Sequence, residues 1–435
     1  MKRATNAALL LIFGLFLFAL GYLARRNDWI PLSWREAVRP QAENTRANRP
    51  FQGDAFPLQD PSVVDPELKS TLAAMGYLQG TQPAGNRSGV TLNDAAITYE
   101  GLNLYTSGHA PEAILMDMNG ATLHTWRCSL DDAIPGYENP PHVRDAARES
   151  WRRAYLYPDG SLLAIFEGMA LIKVDKDSNV IWSYTAGCHH DMQVLPDGNI
   201  FVLTSEPCDG IIDNGIALIN ANGKELRRTS LLDCFRASPY AALLQSLPKH
   251  GDVLHVNTVN ILDGAHADNF PAFAASNLLV SSLTLNTIAV VDFERATVPW
   301  AISGMTVAQH EPTLLANGNI LVFDNRGAGK TSRVLEIRPP THEVVWQHPA
   351  PGGIPFHSEW CGSVQRLPNG NTLITETDNG RAFEVTPDHK IVWEYINPNQ
   401  FDEKGVRMVA ALFDVVRLHT DYVKDWLAET PSSNK

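Results

Sequence analysis

Short apolar runs alternate with polar turn signals along most of the chain after about Thr98. In residues 309–323, alternating apolar residues lead into an Asn317-Gly318 turn, and a second apolar run leads out of it. Residues 190–200 repeat this layout around an Asp-Gly turn. Alternation on both sides of such a turn is typical of a β-hairpin. The pattern therefore predicts a chain built from repeated hairpins.

Tryptophan recurs near the ends of the repeating units, and the last two intervals between these tryptophans are 46 and 47 residues. A period in the forties with about four short strands per unit is typical of a β-propeller blade. The units end near Trp126, Trp182, Arg228, Trp300, Trp346 and Trp393. We therefore predict an all-β, six-bladed propeller over residues 98–420, with a tail at 421–435; seven blades are the alternative.

The first unit lacks an early strand. A spare apolar run at residues 408–416 is available to supply it from the other end of the chain. Closing the ring in this way removes exposed sheet edges, which otherwise favour aggregation. We therefore expect strands from both ends of the repeat to share one blade.

The N-terminal region differs in composition from the repeat. Residues 7–24 are eighteen residues without a charge, flanked by basic residues on both sides. This length is at the lower limit for a bilayer span, so residues 1–26 are predicted to be a transmembrane anchor. A cleaved signal peptide is the alternative, although no Ala-x-Ala site is present. Residues 27–97 are rich in polar residues and proline and predict an extended tether with a short helix near residues 66–75.

Composition limits the classes of partner and site. The 435 residues carry a formal net charge of −13 without clustered Lys and Arg, so we expect no nucleic-acid partner. The five cysteines form no Cys-x-x-Cys pair, which argues against a zinc knuckle or thioredoxin-type site. Cys188 and Cys208 flank one predicted hairpin and are a possible disulfide pair. Buried free thiols are the simpler interpretation.

The best candidate chemistry lies at the mouths of the hairpins. In a propeller, the innermost strand of each blade lines a central channel, so equivalent repeat positions converge there. These positions carry imidazole, guanidinium and amide groups: Arg152, His190, His255, Asn257 and His310. Such a cluster suits either a transition-metal site or nucleophilic and acid–base chemistry on an anionic group. Arg326, in the second strand of the His310 hairpin, is either an anion binder or a salt-bridged surface residue.

Four stretches resemble the bacterial arylsulfotransferases, the PAPS-independent aryl-sulfate sulfotransferases of the periplasm. They are His189-His190-Asp191 before Leu195-Pro196-Asp197-Gly198-Asn199, His255-Val256-Asn257, Gln309-His310 before Asn317-Gly318-Asn319, and Leu367-Pro368-Asn369-Gly370-Asn371. The resemblance covers about residues 98–398. It implies a six-bladed propeller that transfers a sulfuryl group from an aryl sulfate to a phenol through a sulfohistidine, without a cofactor or an obligate metal.

The resemblance also implies roles for individual residues. His310 matches the nucleophile, and His255 and Asn257 match residues that assist proton transfer and hold the sulfate. His190 matches a further channel histidine, which gives His310, His255 and His190 as catalytic candidates. The substrate-binding candidates are Asn257, Arg152, Arg326 and His189.

One position departs from the family pattern. Leu283 stands where the family carries an arginine, and a leucine cannot neutralise sulfate. Either Arg152 or Arg326 substitutes, or the site binds something else, or the activity is lost. The leading interpretation is an inner-membrane, single-pass protein with its propeller in the periplasm. The alternatives are a catalytically degenerate propeller that acts as a scaffold or accessory subunit for a membrane-protein partner, and a histidine metal site in the same channel.

Overall fold

The computed structural model describes residues 82–327, 331–403 and 405–427. The chain divides into two units, residues 1–57 and 58–435, and all of the described residues belong to the second. The predicted anchor, the predicted short helix and most of the predicted tether lie outside the described residues. Within the described ranges, no helix has both the length and the apolar character needed to span a bilayer.

Strands dominate the described residues, as the alternation predicts. In chain order they are β1 (Gln82–Pro83), β2 (Gly89–Asn93), β3 (Leu102–Ser107), β4 (Glu112–Met116), β5 (Thr122–Arg127), β6 (Arg153–Leu156), β7 (Leu162–Phe166), β8 (Met169–Val174), β9 (Val180–Val194), β10 (Ile200–Cys208), β11 (Ile211–Ile219), β12 (Glu225–Ser230), β13 (Gly251–Asp252), β14 (Val256–Ile261), β15 (Leu278–Ser282), β16 (Thr287–Asp292), β17 (Thr297–Ser303), β18 (His310–Leu314), β19 (Ile320–Asp324), β20 (Arg333–Arg338), β21 (Glu343–His348), β22 (Ser363–Arg366), β23 (Thr372–Glu376), β24 (Arg381–Val385), β25 (Ile391–Ile396), β26 (Gln400–Glu403), β27 (Val406–Val409) and β28 (Leu412–Leu418).

Helices are short and connect the strands. The α-helices are α1 (Leu130–Ala133), α2 (Leu231–Arg236) and α3 (Lys424–Leu427), and the 3₁₀ helices are Asp145–Arg148, Ala241–Ser246, Pro271–Phe273 and Thr377–Asn379. Ser129 and Ser230 cap α1 and α2, because each hydroxyl accepts a hydrogen bond from a backbone N–H in the first turn.

Apart from β13, which pairs in parallel with β11, the main sheets are antiparallel groups of four strands. The first group is β28-β3-β4-β5, the second β6–β9, the third β9–β12, the fourth β14–β17, the fifth β18–β21, and the last β22–β25 with β2 at its edge. The long strand β9 serves two groups, because its first part pairs with β8 and its second part with β10. β1, β26 and β27 form a separate small sheet. This all-β arrangement is propeller-like, and the hairpin pattern of the sequence is confirmed.

Turn chemistry sets the hairpins. Gly198 and Gly318 have φ angles of 85° and 82°, a region that glycine enters without a Cβ clash. Beside them, the side chains of Asp197 and Asn317 accept a hydrogen bond from the backbone N–H two residues later. The Asp-Gly and Asn-Gly pairs therefore fix these turns for a local reason.

The recurring tryptophans join neighbouring groups. The indole N–H of Trp126 donates to the carbonyl of Gly160 at 2.9 Å, and that of Trp182 donates to Ala221 at 3.1 Å. Trp346 and Trp393 make the same kind of bond, to Pro387 and Met118 respectively. Each acceptor lies in a turn of the following group, and Met118 returns the pattern from the last group to the first.

A strand from the C-terminal region completes the first group, as predicted. β28 pairs antiparallel with β3, with Val415 opposite Tyr105. The strand begins at Leu412, whereas the spare apolar run begins at residue 408, because Met408 belongs to β27 and pairs with Phe401 and Pro83. β2 also differs from the expectation, because it pairs with β25 although it lies within the predicted tether.

A buried ion cluster joins the first strands of four groups. The Nε atom of Arg153 in β6 lies 3.1 Å from Oδ1 of Asp191 in β9. The same guanidinium contacts Glu311 of β18 at 2.6 Å and Asp414 of β28 at 3.2 Å. All four side chains are at most 17% exposed. These strands therefore converge on one guanidinium, as strands around a central axis must.

The interpretation of Cys188 and Cys208 as a disulfide pair is wrong. Cys188 and Cys208 are free, as are the other three cysteines. Cys188 lies opposite Thr204 in the β9–β10 ladder, while Cys208 pairs with Ile211 at the far end of β10. The ladder register holds the two sulfur-bearing positions apart, and Cys208 is exposed whereas Cys188 is buried.

The pairing of β28 with β3 predicts a specific stability effect. Leu412 is fully buried in the closing strand. Leu412→Ala should lower the free energy of unfolding by about 2–5 kcal/mol, because it removes buried apolar volume and leaves a cavity. Leu226→Ala is the matched control, since Leu226 is 52% exposed, and it should change stability by less than about 0.5 kcal/mol. Denaturant unfolding measures both, and equal effects would contradict the assignment of β28 as the closing strand.

Candidate active site

Three histidines lie where the first strand of a group is irregular. His190 is within β9, His255 directly precedes β14, and His310 begins β18. The pairing of each of these strands with the next shifts register at this point. His190 and His255 have positive φ angles of 52° and 45°, which non-glycine residues rarely adopt. Bulges of this kind redirect side chains, and they are common beside active sites.

The same irregularity affects the two acids that directly follow His190 and His310. In a regular strand, Asp191 and Glu311 would point away from the face that carries His190 and His310. Instead, Glu311 has a φ angle of 53°, and both acids contact Arg153 within the protein. Through Arg153 they link neighbouring strands.

The hydrogen bonds of His310 determine its tautomer. Its Nδ1 lies 2.8 Å from Oδ1 of Asn325 and 3.1 Å from the carbonyl oxygen of Ala308. The amide of Asn325 is oriented by its own nitrogen, which donates to the carbonyls of Ser358 and Cys361. Both neighbours of Nδ1 are therefore acceptors, so Nδ1 carries the proton.

This tautomer leaves the other ring nitrogen of His310 with a lone pair. Nε2 is buried and has no hydrogen-bond partner among the described residues. Burial and the positive charge of Arg152 lower the pKa of His310 well below its usual range, and the hydrogen bond to Asn325 opposes this only in part. His310 is thus a neutral imidazole whose unprotonated nitrogen is not engaged elsewhere.

His255 has the opposite electrostatic character. Its Nδ1 lies 2.8 Å from Oδ2 of Asp252, and its backbone N–H donates to Oδ1 of the same carboxylate. Burial alone would lower the pKa of His255, but the hydrogen bond and charge of Asp252 raise it. The neighbouring imidazoles therefore differ, with His255 favouring the protonated form and His310 the neutral form.

His190 lies next to His255 and has its own carboxylate. Its ring packs against that of His255 with centroids 4.9 Å apart. Nδ1 of His190 lies 2.9 Å from Oε1 of Glu167 and 3.0 Å from Nδ1 of His189. Burial nevertheless lowers the pKa of His190 to about 4. The Nε2 atoms of His189 and His190 have no hydrogen-bond partner within the described ranges.

Of the two candidate arginines, Arg152 is the one whose charge acts on the histidines. It is 5% exposed, its guanidinium contacts the sulfur of Cys361 at 3.4 Å, and it lies over the ring of Phe413. Its positive charge helps to lower the pKa values of His310 and His190, and it opposes the rise in the pKa of His255. A buried guanidinium beside neutral imidazoles is suited to bind an anionic substrate.

Arg326 is positioned differently. Its side chain is 39% exposed, pairs with Glu359 at 3.4 Å and stacks over Trp360. This guanidinium is engaged at the surface by partners other than the histidines. Of its two expected roles, the structure shows the salt-bridged one.

Asn257 stabilises the backbone next to His310. Its side-chain nitrogen donates to the backbone carbonyl of Gln309, directly before His310, at 2.9 Å. Gln309 is fully buried and donates in turn to Ser281 and Ser282 of the fourth group. These bonds fix the backbone that carries His310.

Leu283 lies close to the site and brings no charge to it. It is half-buried in the turn after β15, and its backbone N–H donates to the carbonyl of His255. The position expected to hold an arginine is therefore next to His255. In this chain, the buried positive charge near the imidazoles comes from Arg152.

Three residues that matter to the site were not among the sequence candidates: Glu167, Asp252 and Asn325. Glu167 lies at the tip of the β7–β8 hairpin, whereas the sequence candidates come from the first strand of each group. Asn325 directly follows β19, the partner of β18, so hairpin register gave a signal for it. Asp252 precedes His255 by three residues, a spacing with no predictive value in an irregular segment.

One set of possible metal ligands is also present in the described part of the chain. Ligand atoms of Glu167, His189 and His190 all lie within 4.8 Å of one another. The site therefore brings together an imidazole with a lowered pKa, an imidazole with a raised pKa, a buried guanidinium and a set of possible metal ligands.

Comparisons with known proteins identify a family match. Residues 153–398 match the family model described as Arylsulfotransferase (ASST). No curated protein matches the chain.

Solved structures resemble the chain only weakly. A protein of unknown function from Bacteroides caccae has 13% identity over 73% of this chain and 98% of its own, with a TM-score of 0.47. The C-terminal WD40 domain of Sif2 has 10% identity, covers 77% and 99%, and has a TM-score of 0.40. The WD40 β-propeller domain of Doa1 has 15% identity, covers 76% and 98%, and has a TM-score of 0.38. At these TM-scores the likenesses support no conclusion about this chain.

The contrast between the two imidazoles is measurable. We expect His255 to be mostly protonated at pH 6.5, the ordinary pKa of histidine, because Asp252 raises its pKa. His310 should remain neutral at that pH and take up a proton only in more acidic solution. ¹⁵N NMR of the imidazole rings as a function of pH measures both. Asp252→Asn should lower the pKa of His255, and an unchanged value would contradict the assigned pair.

Proposed function

The chain belongs to the arylsulfotransferase family, and on that premise we propose that it transfers a sulfuryl group from an aryl sulfate to a phenol through His310. The observation that carries this proposal is the hydrogen bonding of His310. With the proton held on Nδ1 by Asn325 and Ala308, the lone pair of Nε2 is available to attack. A neutral imidazole is nucleophilic near pH 7.

In the first half-reaction, Nε2 of His310 attacks the sulfur of the aryl sulfate. A nitrogen–sulfur bond forms, the bond from sulfur to the phenolic oxygen breaks, and the electron pair leaves with the phenolate. His255, whose pKa is raised by Asp252, supplies the proton to the departing oxygen. The sulfated ring carries a positive charge, and its Nδ1–H remains hydrogen-bonded to Asn325.

In the second half-reaction, the acceptor phenol attacks the same sulfur. The now neutral His255 takes the phenolic proton, the new sulfur–oxygen bond forms, and the nitrogen–sulfur bond breaks. His310 returns to its neutral Nδ1–H form and His255 to its protonated form. Donor and acceptor therefore react in turn at one nucleophile, which is a ping-pong scheme.

Arg152 takes the role that Leu283 cannot fill. The sulfuryl oxygens carry negative charge throughout the transfer, and they need fixed positive partners in a site shielded from water. Arg152 is buried, and its charge acts on all three histidines of the cluster. We assign sulfate binding to this guanidinium, while Asn257 braces the strand of the nucleophile.

The proposal includes a setting for the enzyme. Six blades correspond to the first to fifth groups and the last group of strands. The uncharged segment at residues 7–24 would anchor the protein in the inner membrane, with the propeller in the periplasm. Leu283 favours one alternative, a degenerate propeller that serves as a scaffold for a membrane partner.

Loss of the nucleophile should abolish transfer. Without an acceptor, the detergent-solubilised protein should release one equivalent of phenol from a chromogenic aryl sulfate and then stop. Continued release should require a phenolic acceptor. His310→Ala should remove both the burst and the turnover, because no other group forms the covalent intermediate. Absorbance of the released phenol measures this, and intact-protein mass spectrometry detects the sulfated chain.

The control is His348→Ala. His348 is also a buried histidine with a lowered pKa, but it packs against Trp346 and Phe356. Its replacement should leave the turnover number within about twofold of the parent, because a group that touches no reacting atom contributes little to the barrier. Turnover that survives in His310→Ala would move the nucleophile elsewhere. A parent protein inactive with several donors would favour the scaffold.

Replacement of Arg152 and replacement of Arg326 should affect turnover to different extents. Arg152→Gln should lower kcat by about 10²–10³, as does the loss of one preorganised oxyanion donor. Arg326→Gln is the matched control and should lower kcat by less than about fivefold, because half-exposed ion pairs contribute at most about 1 kcal/mol. Steady-state kinetics with one donor and one acceptor measure both. The reverse order of effects would assign sulfate binding to Arg326.

A further inference from the structure

Glu167, His189 and His190 form a compact set of three side chains, which we call the Glu–His–His triad. Oε1 of Glu167 lies 2.9 Å from Nδ1 of His190, which in turn lies 3.0 Å from Nδ1 of His189. Both histidines are at most 5% exposed. The triad combines residues from a hairpin tip and from the bulged part of β9, so tertiary structure brings it together.

The triad has a proton-placement problem. Nδ1 of His190 faces a carboxylate oxygen on one side and a ring nitrogen on the other. If Nδ1 of His190 carries a proton, it donates a hydrogen bond to Glu167, and Nδ1 of His189 can only share that same proton. If His189 donates instead, the lone pair of His190 faces the carboxylate. One imidazole nitrogen holds either a proton or a lone pair, so no arrangement of protons serves both contacts well.

A metal ion resolves this conflict, because it accepts lone pairs from all three atoms at once. Zn²⁺ binds imidazole nitrogen and carboxylate oxygen at about 2.0–2.2 Å, so tetrahedral ligand atoms lie about 3.3 Å apart. The observed separations of 2.9 and 3.0 Å are slightly shorter than this. An outward movement of the rings by a few tenths of an ångström would bring these two separations to the tetrahedral value.

The surroundings orient the triad for this role. The second oxygen of Glu167 accepts the backbone N–H of His190 at 3.0 Å and lies 3.9 Å from Nε of Arg152. These contacts direct Oε1 toward the imidazoles, as outer contacts orient metal-ligating carboxylates. Arg152 opposes a cation, whereas Asp252 adds a second negative charge within electrostatic range of His189.

We propose that Glu167 Oε1, His189 Nδ1 and His190 Nδ1 bind one divalent transition-metal ion, with Zn²⁺ as the best fit. Mixed nitrogen and oxygen donors suit Zn²⁺ better than Mg²⁺ or Ca²⁺, which prefer oxygen alone. Three protein ligands leave a fourth position for water or for an anionic oxygen. The site goes beyond the proposed function, since sulfuryl transfer through His310 has no step that needs it.

The experiment is a titration of the metal-free, full-length protein. Co²⁺, which replaces Zn²⁺ in such sites and absorbs visible light, should give a band that reaches a plateau at one equivalent per chain. Zn²⁺ should displace it, and calorimetry should give the same stoichiometry. His189→Ala and Glu167→Gln should each weaken binding by more than about tenfold, because each loses one ligand.

His109→Ala is the matched control. Nε2 of His109 lies 2.6 Å from Oε1 of Glu112, so this pair repeats the histidine–carboxylate contact with a hydroxyl, Ser107, in place of a second imidazole. This variant should bind Co²⁺ like the parent. Circular dichroism confirms that each variant is folded.

A second measurement uses only the parent protein and is independent of variant folding. Zn²⁺ should shift the ¹⁵N resonances of Nδ1 in His189 and His190 and leave those of His109 unchanged. No Co²⁺ band and no shift in these resonances would overturn the proposal. Binding that persists unchanged in both triad variants would also overturn it. None of these results depends on sulfate transfer, so the two proposals fail separately.

Discussion

The buried guanidinium of Arg153 is the contact on which the site depends. It is shared by carboxylates from three other first strands, those of Asp191, Glu311 and Asp414. One positive charge does not balance three negative charges in a medium of low dielectric constant. Burial and the nearby Glu311 accordingly raise the pKa of Asp191, although Arg153 opposes them. Separating the carboxylates from Arg153 would leave buried charges without a partner, which is costly. The contact therefore opposes separation of these strands.

The position of this cluster in the sequence explains its link to the site. Asp191 and Glu311 directly follow His190 and His310, so the ion cluster and the histidines share the same irregular backbone. The carboxylate of Asp191 also accepts backbone N–H groups from Met192 and Val259. The polar contacts of Asp191 and Glu311 thus fix the backbone that carries the imidazoles. Such contacts are needed, because residues in rare φ regions persist only where the surroundings impose them.

The hairpins, the group lengths and the convergence of Arg152 with three histidines were predictable from the sequence, because turn chemistry and repeat spacing are local signals. The bulges were not, since they break the alternation that the prediction uses. This is why Asp191 and Glu311 face Arg153 in the interior. The partners Glu167 and Asp252 come from a hairpin tip and an irregular segment, where no periodic pattern applies. The family resemblance pointed to the position of Leu283, but the sequence left both Arg152 and Arg326 as sources of the missing charge, and the tertiary structure was needed to distinguish them.

The pairing of β28 with β3 also has a consequence for folding during synthesis. Arg417 of β28 bonds to Asn103 of β3 across 314 residues of sequence. The open edge of β3 therefore gains its partner only after β28 has left the ribosome. Non-local contacts of this length form late, because chain entropy must be lost before they are made. The first group of strands therefore stays incomplete in the nascent chain until β28 has been made.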